Sequence, residues 1–401
     1  MKKKFDIVLW GAGLYGKNIY RMLDNSKVNV VAWIDNDSSK WGQRQENSII
    51  ISAENLAATE FDYLIITPEG YRTQIKEQCF RMGIIPEKIV DYWDITTELT
   101  VDFIDTEERM KYEAEQKEIR KEREVWEKNT TDKIQIASAE QLLKELLSTK
   151  KSLSRFGDGE FELMQEKKRS WFQCVDENLA RRLREIITSD QNNVLIAVAD
   201  NFCSLERYTE EAAKGIAQYM SGGTRERIIS LLDKTRVYYD AYVSRPYMIY
   251  KDKEYARKIF GMLEKLWAGK RLFIVEGEAS RMGIGNNLFA ESKGIRRLIA
   301  PPQNAFEKYD EIFQKVCDLA EDDELILISL GPTATVLAYD LGMVGKRAID
   351  IGQIDNEYDW YCAKAEVRIP IEGKAITELS WCRTSCDTTE EFKKQVVAYV
   401  K

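Results

Sequence analysis

Residues 152–160 read Ser-Leu-Ser-Arg-Phe-Gly-Asp-Gly-Glu, in which two carboxylates are separated by one glycine and preceded by another. In an extended segment, side chains at positions i and i+2 point to the same side, which would bring Asp158 and Glu160 together. Carboxylate oxygens at this spacing suit a hard divalent cation, Mg²⁺ or Mn²⁺, which would in turn bind a diphosphate. The flanking Gly157 and Gly159 allow a sharp turn and the close approach of a ligand. The alternative interpretation is an acidic turn before a helix, with Asp158 as its cap.

Downstream of this stretch, short apolar runs end in polar or glycine-containing loops. The runs cover residues 194–198, 272–275, 297–299, 325–330 and 348–351. Continuous apolar runs of this length predict strands that are buried on both faces of a parallel sheet. Ligands of such sheets bind beyond the carboxyl ends of the strands, so the loops after these runs should form one rim around a site.

Five downstream segments carry further motifs: Ser-Arg-Pro-Tyr at 244–247, Val-Glu-Gly-Glu-Ala-Ser-Arg-Met-Gly-Ile-Gly-Asn-Asn at 275–287, Ala-Pro-Pro-Gln-Asn-Ala-Phe at 300–306, Gly-Pro-Thr-Ala-Thr at 331–335 and Asp-Ile-Gly-Gln-Ile-Asp at 350–355. Over roughly residues 150–370, these segments in this order resemble the GT-D glycosyltransferases. The Asp-X-Glu metal motif of that family matches Asp158-Gly159-Glu160, and family members transfer glucose from UDP-glucose to glycans on streptococcal surface adhesins. The resemblance implies a UDP-sugar donor, a glycan or glycoprotein acceptor, and Mn²⁺ or Mg²⁺ on Asp158 and Glu160. Gln353 stands where the family has histidine.

Such a transfer needs groups that bind the diphosphate of the donor. Guanidinium groups suit phosphate oxygens, and the amides of a glycine loop before a helix can cradle them. We predict that helix at residues 287–292. The candidates for donor contacts are Arg155, Arg245, Arg281, Gly283, Gly285, Asn286 and Thr333. The alternatives are ion pairs with structural carboxylates for the arginines, and a helix cap for Thr333.

The chain contains no histidine. This excludes Ser-His-Asp and Cys-His catalysis and any histidine-ligated metal centre. The general base must therefore be a carboxylate or, less simply, Lys, Tyr or Cys. The candidates are Glu278 and Asp355, with Glu357 ranked after them. For all three the alternative is capping or helix-dipole stabilisation, which is common for acids at strand–helix turns.

Composition narrows the class of protein. The 401 residues can form two or three domains, and 44% hydrophobic with 31% charged residues is typical of a globular, non-membrane chain. The net charge of −8 argues against nucleic-acid binding, and no apolar run approaches the ~20 residues that span a bilayer. The first residues do not form a signal peptide, and seven scattered cysteines predict free thiols in the cytoplasm. Of these, Cys382 and Cys386 could meet on one helical turn, but no second pair completes a zinc site.

The amino-terminal region has its own α/β pattern. Residues 5–10 predict a buried strand, Gly11-Ala-Gly-Leu-Tyr-Gly16 a tight turn, residues 17–23 a helix, and 28–34 a strand that ends at Asp35. A strand at 63–67 and a helix at 72–82 continue the unit to about residue 95. The fingerprint predicts a nucleotide or NAD(P) site. The alternative is a Rossmann-like module that keeps the turn for packing, because the unit is short for a dinucleotide-binding fold.

Residues 105–128 are nearly all charged and predict a solvated helix that acts as a spacer, with a partner or dimer interface as the alternative. A further helix is predicted at 139–147. The expected fold class is α/β, with two Rossmann-like domains of mainly parallel sheet joined by a charged helix. The boundaries are 1–100 for the small domain, 101–132 for the linker and 133–401 for the GT-D-like domain.

Two other functions compete with glycosyl transfer. An NAD(P)-dependent nucleotide-sugar oxidoreductase or epimerase would use the turn at 11–16, but it leaves the motifs of residues 150–370 unexplained. A non-catalytic nucleotide-binding protein would have two degenerate domains, with Gln353 and Asn287 as signs of decay. The sequence is compatible with a homo-oligomer.

Overall fold

The computed structural model of the chain describes residues 4–13, 16–17, 19–20, 23–24, 26–68, 71–91, 106–128, 134–165, 173–202, 204–366, 368–369, 371–374, 376 and 390–401. The chain divides into two compact units, Met1–Glu118 and Ile119–Lys401. The predicted Cys382–Cys386 turn lies outside the described residues. Within them, no helix is long and apolar enough to cross a membrane.

The first unit contains one six-stranded sheet in the order β3-β4-β2-β1-β5-β6. Its elements are β1 (Phe5–Trp10), β2 (Val28–Ile34), β3 (Arg44–Gln45), β4 (Ser48–Ile51), β5 (Tyr63–Ile66), α1 (Arg72–Arg81) and β6 (Ile89–Asp91). The pairings are parallel except the antiparallel pair β3–β4. The predicted strands at 5–10, 28–34 and 63–67 are confirmed, and of the helix predicted at 17–23 the described residues 17, 19 and 20 are helical, whereas residue 23 forms a β-bridge.

The glycine turn of this unit is closely packed. A Cβ on Gly16 would lie 1.9 Å from the carbonyl oxygen of Gly11, so only glycine fits there. Asp35, the acid that follows the second strand, accepts hydrogen bonds from the N–H of Ala12 at 2.9 Å and from Lys40 Nζ at 3.0 Å. The turn and its acid are thus bonded to each other, which favours the packing interpretation of the fingerprint.

The charged helix forms as predicted, as α2 (Thr106–Lys128). Its end is not a free spacer, because Trp126 is buried in the core of the second unit. The Arg225 guanidinium lies 5.1 Å from the centre of the Trp126 ring, and Glu122 Oε2 accepts a 2.9 Å hydrogen bond from the N–H of Gly222. The last turns of α2 therefore belong structurally to the second unit.

The second unit is built on nine strands in the order β15-β12-β11-β13-β14-β8-β9-β10-β7, all paired in parallel. The strands are β7 (Gln135–Ala137), β8 (Ser152–Phe156), β9 (Val194–Val198), β10 (Val237–Asp240), β11 (Arg271–Gly277), β12 (Gly294–Ala300), β13 (Glu324–Ser329), β14 (Ala348–Asp350) and β15 (Val396–Tyr399). The predicted fold class is confirmed, and each of the five apolar runs corresponds to a strand.

Helices cover this sheet on both faces. They are α3 (Ala139–Ser148), α4 (Asp158–Met164), α5 (Glu177–Ile187), α6 (Glu210–Tyr219), α7 (Thr224–Leu231), α8 (Lys253–Trp267), α9 (Tyr309–Leu319), α10 (Pro332–Met343), α11 (Ile354–Cys362) and α12 (Glu390–Gln395). The predicted helix at 139–147 is confirmed. At residues 287–292 the prediction was wrong, since the chain there forms turns rather than a helix.

The neighbouring strands β8 and β14 lead to helices on opposite faces. Phe156 of β8 packs in one core with residues of α4, α5 and α10. Leu153, on the other side of the same strand, lines a small cavity together with Leu263 of α8 and Ile354 of α11. Since side chains alternate along a strand, α4 and α11 diverge from adjacent strand ends. Such a switch point opens a crevice at the carboxyl edge of the sheet, where ligands of these folds bind.

Candidate active site

Asp158 and Glu160 lie on the β8 side of this crevice, in the first turn of α4. Because β8 ends at Phe156, they do not belong to an extended segment, and the argument that places both carboxylates on one side was wrong. The structure is close to the alternative interpretation, except that the acids lie in the first turn of the helix itself rather than before it. Its capping acid is Glu160 rather than Asp158, since Glu160 Oε2 accepts a 2.7 Å hydrogen bond from the N–H of Gly157.

The two acids differ in exposure. Asp158 is exposed, whereas Glu160 is half-buried. Burial raises the pKa of Glu160 to about 6, and the charges of Asp350 and Asp158 push it in the same direction, against the hydrogen bond from Gly157. The crevice thus concentrates negative charge, and a bound cation would favour the ionised form of Glu160.

Arg155 joins the two strands that border the crevice. Its Nη2 donates to Asp350 Oδ1 at 2.7 Å, its Nε to the Asp350 carbonyl at 2.8 Å, and its Nη1 to Ser244 Oγ at 2.5 Å. A Cβ at Gly352, where φ is +49°, would meet the guanidinium at 2.2 Å. The contacts fit the structural alternative for Arg155, an ion pair, better than a donor contact.

Helix α11 holds one rim loop through its acids at i and i+4, Asp355 and Asp359. Asp355 Oδ1 accepts hydrogen bonds from the N–H of Gly283 and from Asn286 Nδ2, both at 2.8 Å. Asp359 Oδ1 accepts from the same Asn286 nitrogen at 2.9 Å. Lys374 Nζ lies 2.6 Å from the Oδ2 atom of each acid. The amide of Gly283 therefore points at a carboxylate of its own chain and not into a phosphate cradle.

The opposite side of α11 holds a second rim loop. Glu357 Oε2 accepts hydrogen bonds of 2.9 Å from the N–H groups of Tyr247 and Met248. Burial raises the pKa of Glu357, while these bonds and the charge of the nearby Arg245 lower it. Glu357 thus anchors the loop that carries Arg245, which is half-buried. Of the three candidate bases, Asp355 and Glu357 are buried anchors, and Glu278 is exposed directly after β11.

Thr333 and the glycine loop complete the predicted donor contacts. Thr333 is fully buried inside α10, whose N-cap residue is Gly331, and its Oγ1 donates to Gln173 Oε1 at 3.4 Å rather than capping the helix. Gly283 and Gly285 have φ values of +73° and +83°, and Arg281 has a φ of +47°. The loop therefore forms a left-handed turn at the rim, with Gly285 exposed at its tip.

Some residues that build the site are absent from the candidates. Glu276 and Arg297 form a fully buried ion pair, Glu276 Oε2 accepts from the N–H of Met282 at 2.8 Å, and Arg297 Nη2 donates to the Met282 carbonyl at 2.7 Å. This pair could have been recognised from the sequence, because Arg297 is a charged residue within an apolar run that predicts a buried strand. Asp350, Asp359 and Lys374 were also missed, because only the fold brings them together.

A parallel α/β sheet with a carboxylate-lined switch-point crevice defines the class of Rossmann-like proteins that bind their ligands at strand ends. The model of the glycosyltransferase GT-D fold family matches residues 153–379, so the chain belongs to that family. The resemblance predicted from the sequence is confirmed. Residues 1–90 match a second model, C2185-like, N-terminal.

Two curated relatives come from streptococci. The chain is 39% identical over 248 residues to the probable glycosyl transferase Gly of Streptococcus gordonii. The aligned segment covers 61% of this chain and 36% of that protein. It is 32% identical over 274 residues to glycosyltransferase GlyD of Streptococcus pneumoniae serotype 4. That aligned segment covers 67% of this chain and 33% of the relative. The match thus spans about a third of the length of either relative.

Solved structures resemble about two thirds of the chain. A domain of unknown function 1792, described as having a distinct glycosyltransferase fold, superimposes with a TM-score of 0.64 at 34% identity, covering 67% of this chain and 97% of that one. A structure described as a new glycosyltransferase from Streptococcus sanguinis gives 0.63 at 35% identity, covering 67% of this chain and all of that one.

Proposed function

We propose that the chain is a metal-dependent glycosyltransferase that moves glucose from a UDP-sugar to a hydroxyl of a glycan or glycoprotein acceptor. The observation that carries the proposal is the position of Asp158 and Glu160 at the switch-point crevice of a GT-D family member. Both acids lie where nucleotide ligands of such sheets bind, and they lie in the first turn of a helix.

The donor set fits Mg²⁺ or Mn²⁺. Mg²⁺ is commonly held by one or two carboxylates together with substrate phosphates and water. Among the residues that the structure describes, no group of three or more acids or cysteines forms a complete metal cage. Asp158 and Glu160 would hold the ion, and the ion would neutralise the charge that develops on the leaving diphosphate.

The other roles go to side chains on the rim loops. Arg245 and Arg281 are the proposed cations for the diphosphate, because the loops that carry them are anchored on the two sides of α11. Glu278 is the proposed base, since its carboxylate is exposed at the end of β11 while Asp355 and Glu357 hold backbone amides. It would accept the proton of the acceptor hydroxyl.

Two alternatives have less support. NAD(P) binding at the turn of residues 11–16 would need Asp35 for the ribose, and the carboxylate oxygens of Asp35 accept bonds from Ala12, Lys40 and Asp37. A non-catalytic nucleotide-binding role would not explain why the acids Asp158 and Glu278 are exposed at the strand ends.

We place the protein in the cytoplasm, where nucleotide sugars and reduced thiols occur together. Among the described residues, the cysteines at 79, 174, 317 and 362 are free thiols.

The test compares Asp158→Asn with Glu177→Gln. Glu177 is an exposed acid at the first position of α5, as Asp158 is at the first position of α4, so it controls for loss of a helix-dipole contact. UDP release from UDP-glucose and from other UDP-sugars is measured with Mn²⁺ or Mg²⁺ and with EDTA. We expect Asp158→Asn and EDTA each to remove most turnover, at least about 10²-fold, and Glu177→Gln to leave it unchanged.

Full activity in EDTA, or unchanged turnover in Asp158→Asn, would contradict the metal assignment. A thermal shift with NAD(H) alone, and none with UDP-glucose and Mn²⁺, would support the oxidoreductase. No shift with any nucleotide would support the non-catalytic protein.

A further inference from the structure

Lys374 is a buried cation far along the chain from the rim loops. Only 4% of its surface is exposed, and its ammonium lies 2.6 Å from both Asp355 Oδ2 and Asp359 Oδ2. A buried ammonium is costly unless charged partners compensate it. Although burial works against the charged form, the two carboxylates raise the pKa of Lys374, so the side chain stays protonated.

The same two carboxylates use their other oxygens to hold the glycine loop. Asn286 Nδ2 donates to both Oδ1 atoms, at 2.8 and 2.9 Å, and the N–H of Gly283 donates to Asp355 at 2.8 Å. Lys374 therefore contacts the Oδ2 atoms of two acids whose Oδ1 atoms bind the loop. The acids are one helical turn apart on α11, so they repel each other unless a cation separates them.

The loop needs such an anchor because its backbone is strained. Arg281 adopts a φ of +47°, in the left-handed region that a residue with a Cβ rarely adopts. Gly283 could not carry a side chain, since a Cβ there would lie 2.5 Å from the Phe289 ring. A loop without regular helix or strand holds these conformations only when surrounding contacts fix them.

We propose that Lys374 is a positioning residue that holds the side chains of Asp355 and Asp359 together on α11. It thereby fixes the loop of residues 281–286 in the conformation that presents Arg281 to the donor. The last step rests on the proposed function, whereas the anchoring of the loop does not.

The experiment is hydrogen–deuterium exchange on the full chain, comparing Lys374→Met with the wild type. We expect the amides of residues 282–287 to exchange about tenfold faster or more in the variant, because opening the loop no longer breaks a compensated charge network. Lys346→Met is the matched control. Lys346 also pairs with an acid, Asp322, at 3.0 Å, but it lies before the amino end of β14, at the opposite edge of the sheet.

A second variant keeps the test decisive if Lys374→Met does not fold. Lys374→Met combined with Asp359→Asn leaves one unpaired carboxylate instead of two, so it should fold more readily, and its loop should still exchange fast. Asp359→Asn alone keeps a one-to-one pair between Lys374 and Asp355, and its loop should exchange as slowly as in the wild type. Slow loop exchange in a folded variant that lacks Lys374 would overturn the inference.

Kinetics separate this inference from the proposed function. With UDP-glucose and Mn²⁺, Lys374→Met should raise KM about tenfold or more while kcat changes by less than about threefold, since the lost contact orders a binding loop. A loss confined to kcat would overturn the positioning role. If the wild type neither binds UDP nor turns over, the proposed function fails, and the exchange measurements still decide whether Lys374 holds the loop.

Discussion

Three acids that look alike in the sequence have different surroundings. Asp355 and Glu357 are buried and bound to backbone amides, whereas Glu278 is exposed at a strand end. When a carboxylate that anchors a loop takes up a proton, its hydrogen bonds to the backbone amides of that loop weaken and the loop is released. An exposed carboxylate can accept a proton at no structural cost, which is why the proposed chemistry falls to Glu278.

Glu278→Gln should therefore lower kcat by about 10²–10⁴-fold with little change in donor affinity, because a general base acts mainly in the transition state. The measurement is turnover at saturating UDP-glucose and metal. Glu291→Gln, an exposed acid in the same connection between β11 and β12, is the control and should behave as the wild type. Asp355→Asn and Glu357→Gln should instead weaken donor binding. If either of them lost only kcat, the base would lie on α11.

Asp240, at the end of β10, offers a prediction on pH. Burial raises its pKa from 3.8 to about 6, helped by the charge of Asp200 and opposed by hydrogen bonds from Tyr250 and Tyr242. Ionisation of this acid therefore costs folding free energy. The cost is absent below about pH 3.8, grows as the pH rises and is complete above about pH 6, where it amounts to about 3 kcal/mol.

Asp240→Asn should remove this cost, because asparagine has nearly the same shape and no charge. Denaturant unfolding of both proteins between pH 4 and pH 8 measures the difference. Relative to the variant, the wild type should lose stability as the pH rises to about 6. A constant difference across this range would show that Asp240 does not titrate there.

At the scale of elements, sequence patterns located strands better than the turns that follow them. The apolar runs marked β9, β11, β12, β13 and β14, because strands buried on both faces need continuous apolar residues. The helix predicted at 287–292 does not form, and Asn286 instead bonds to acids of α11. Contacts across about 70 residues of sequence override the local preference there, and no local pattern records them.

The charged helix α2 also makes a contact that its local sequence does not reveal, since Trp126 is buried in the core of the second unit. Trp126→Ala should cost about 3 kcal/mol, because it removes a buried ring that packs in the core and under Arg225. Val125→Ala is the control, since Val125 is 65% exposed and should change stability by less than about 0.5 kcal/mol. Equal effects in denaturant unfolding would show that the end of α2 does not pack on the second unit.

For the whole molecule, the division into two units predicts which part carries the chemistry. A truncated protein that begins at Ile119 keeps Glu122 and Trp126 and should fold and release UDP from the donor at the wild-type rate. One that begins at Asp132 loses both contacts and should be less stable by about the cost of Trp126→Ala. Thermal melts and turnover of the two proteins provide the comparison. Loss of donor binding in a folded protein that begins at Ile119 would place the site partly in the first unit.

The sequence by itself determined the α/β class, the family, the absence of histidine chemistry and about half of the strands, namely β1, β2, β5, β9 and β11 to β14. These follow from residue type, period and order along the chain, which are local properties. The tertiary structure alone decided which acids are anchors and which is exposed, because burial and hydrogen bonding depend on residues distant in sequence. Asp355, Gly283 and Lys374 form one network only because α11 packs between loops from other parts of the chain. Asp158 and Glu160 entered a helix because β8 ends at Phe156, before the glycine.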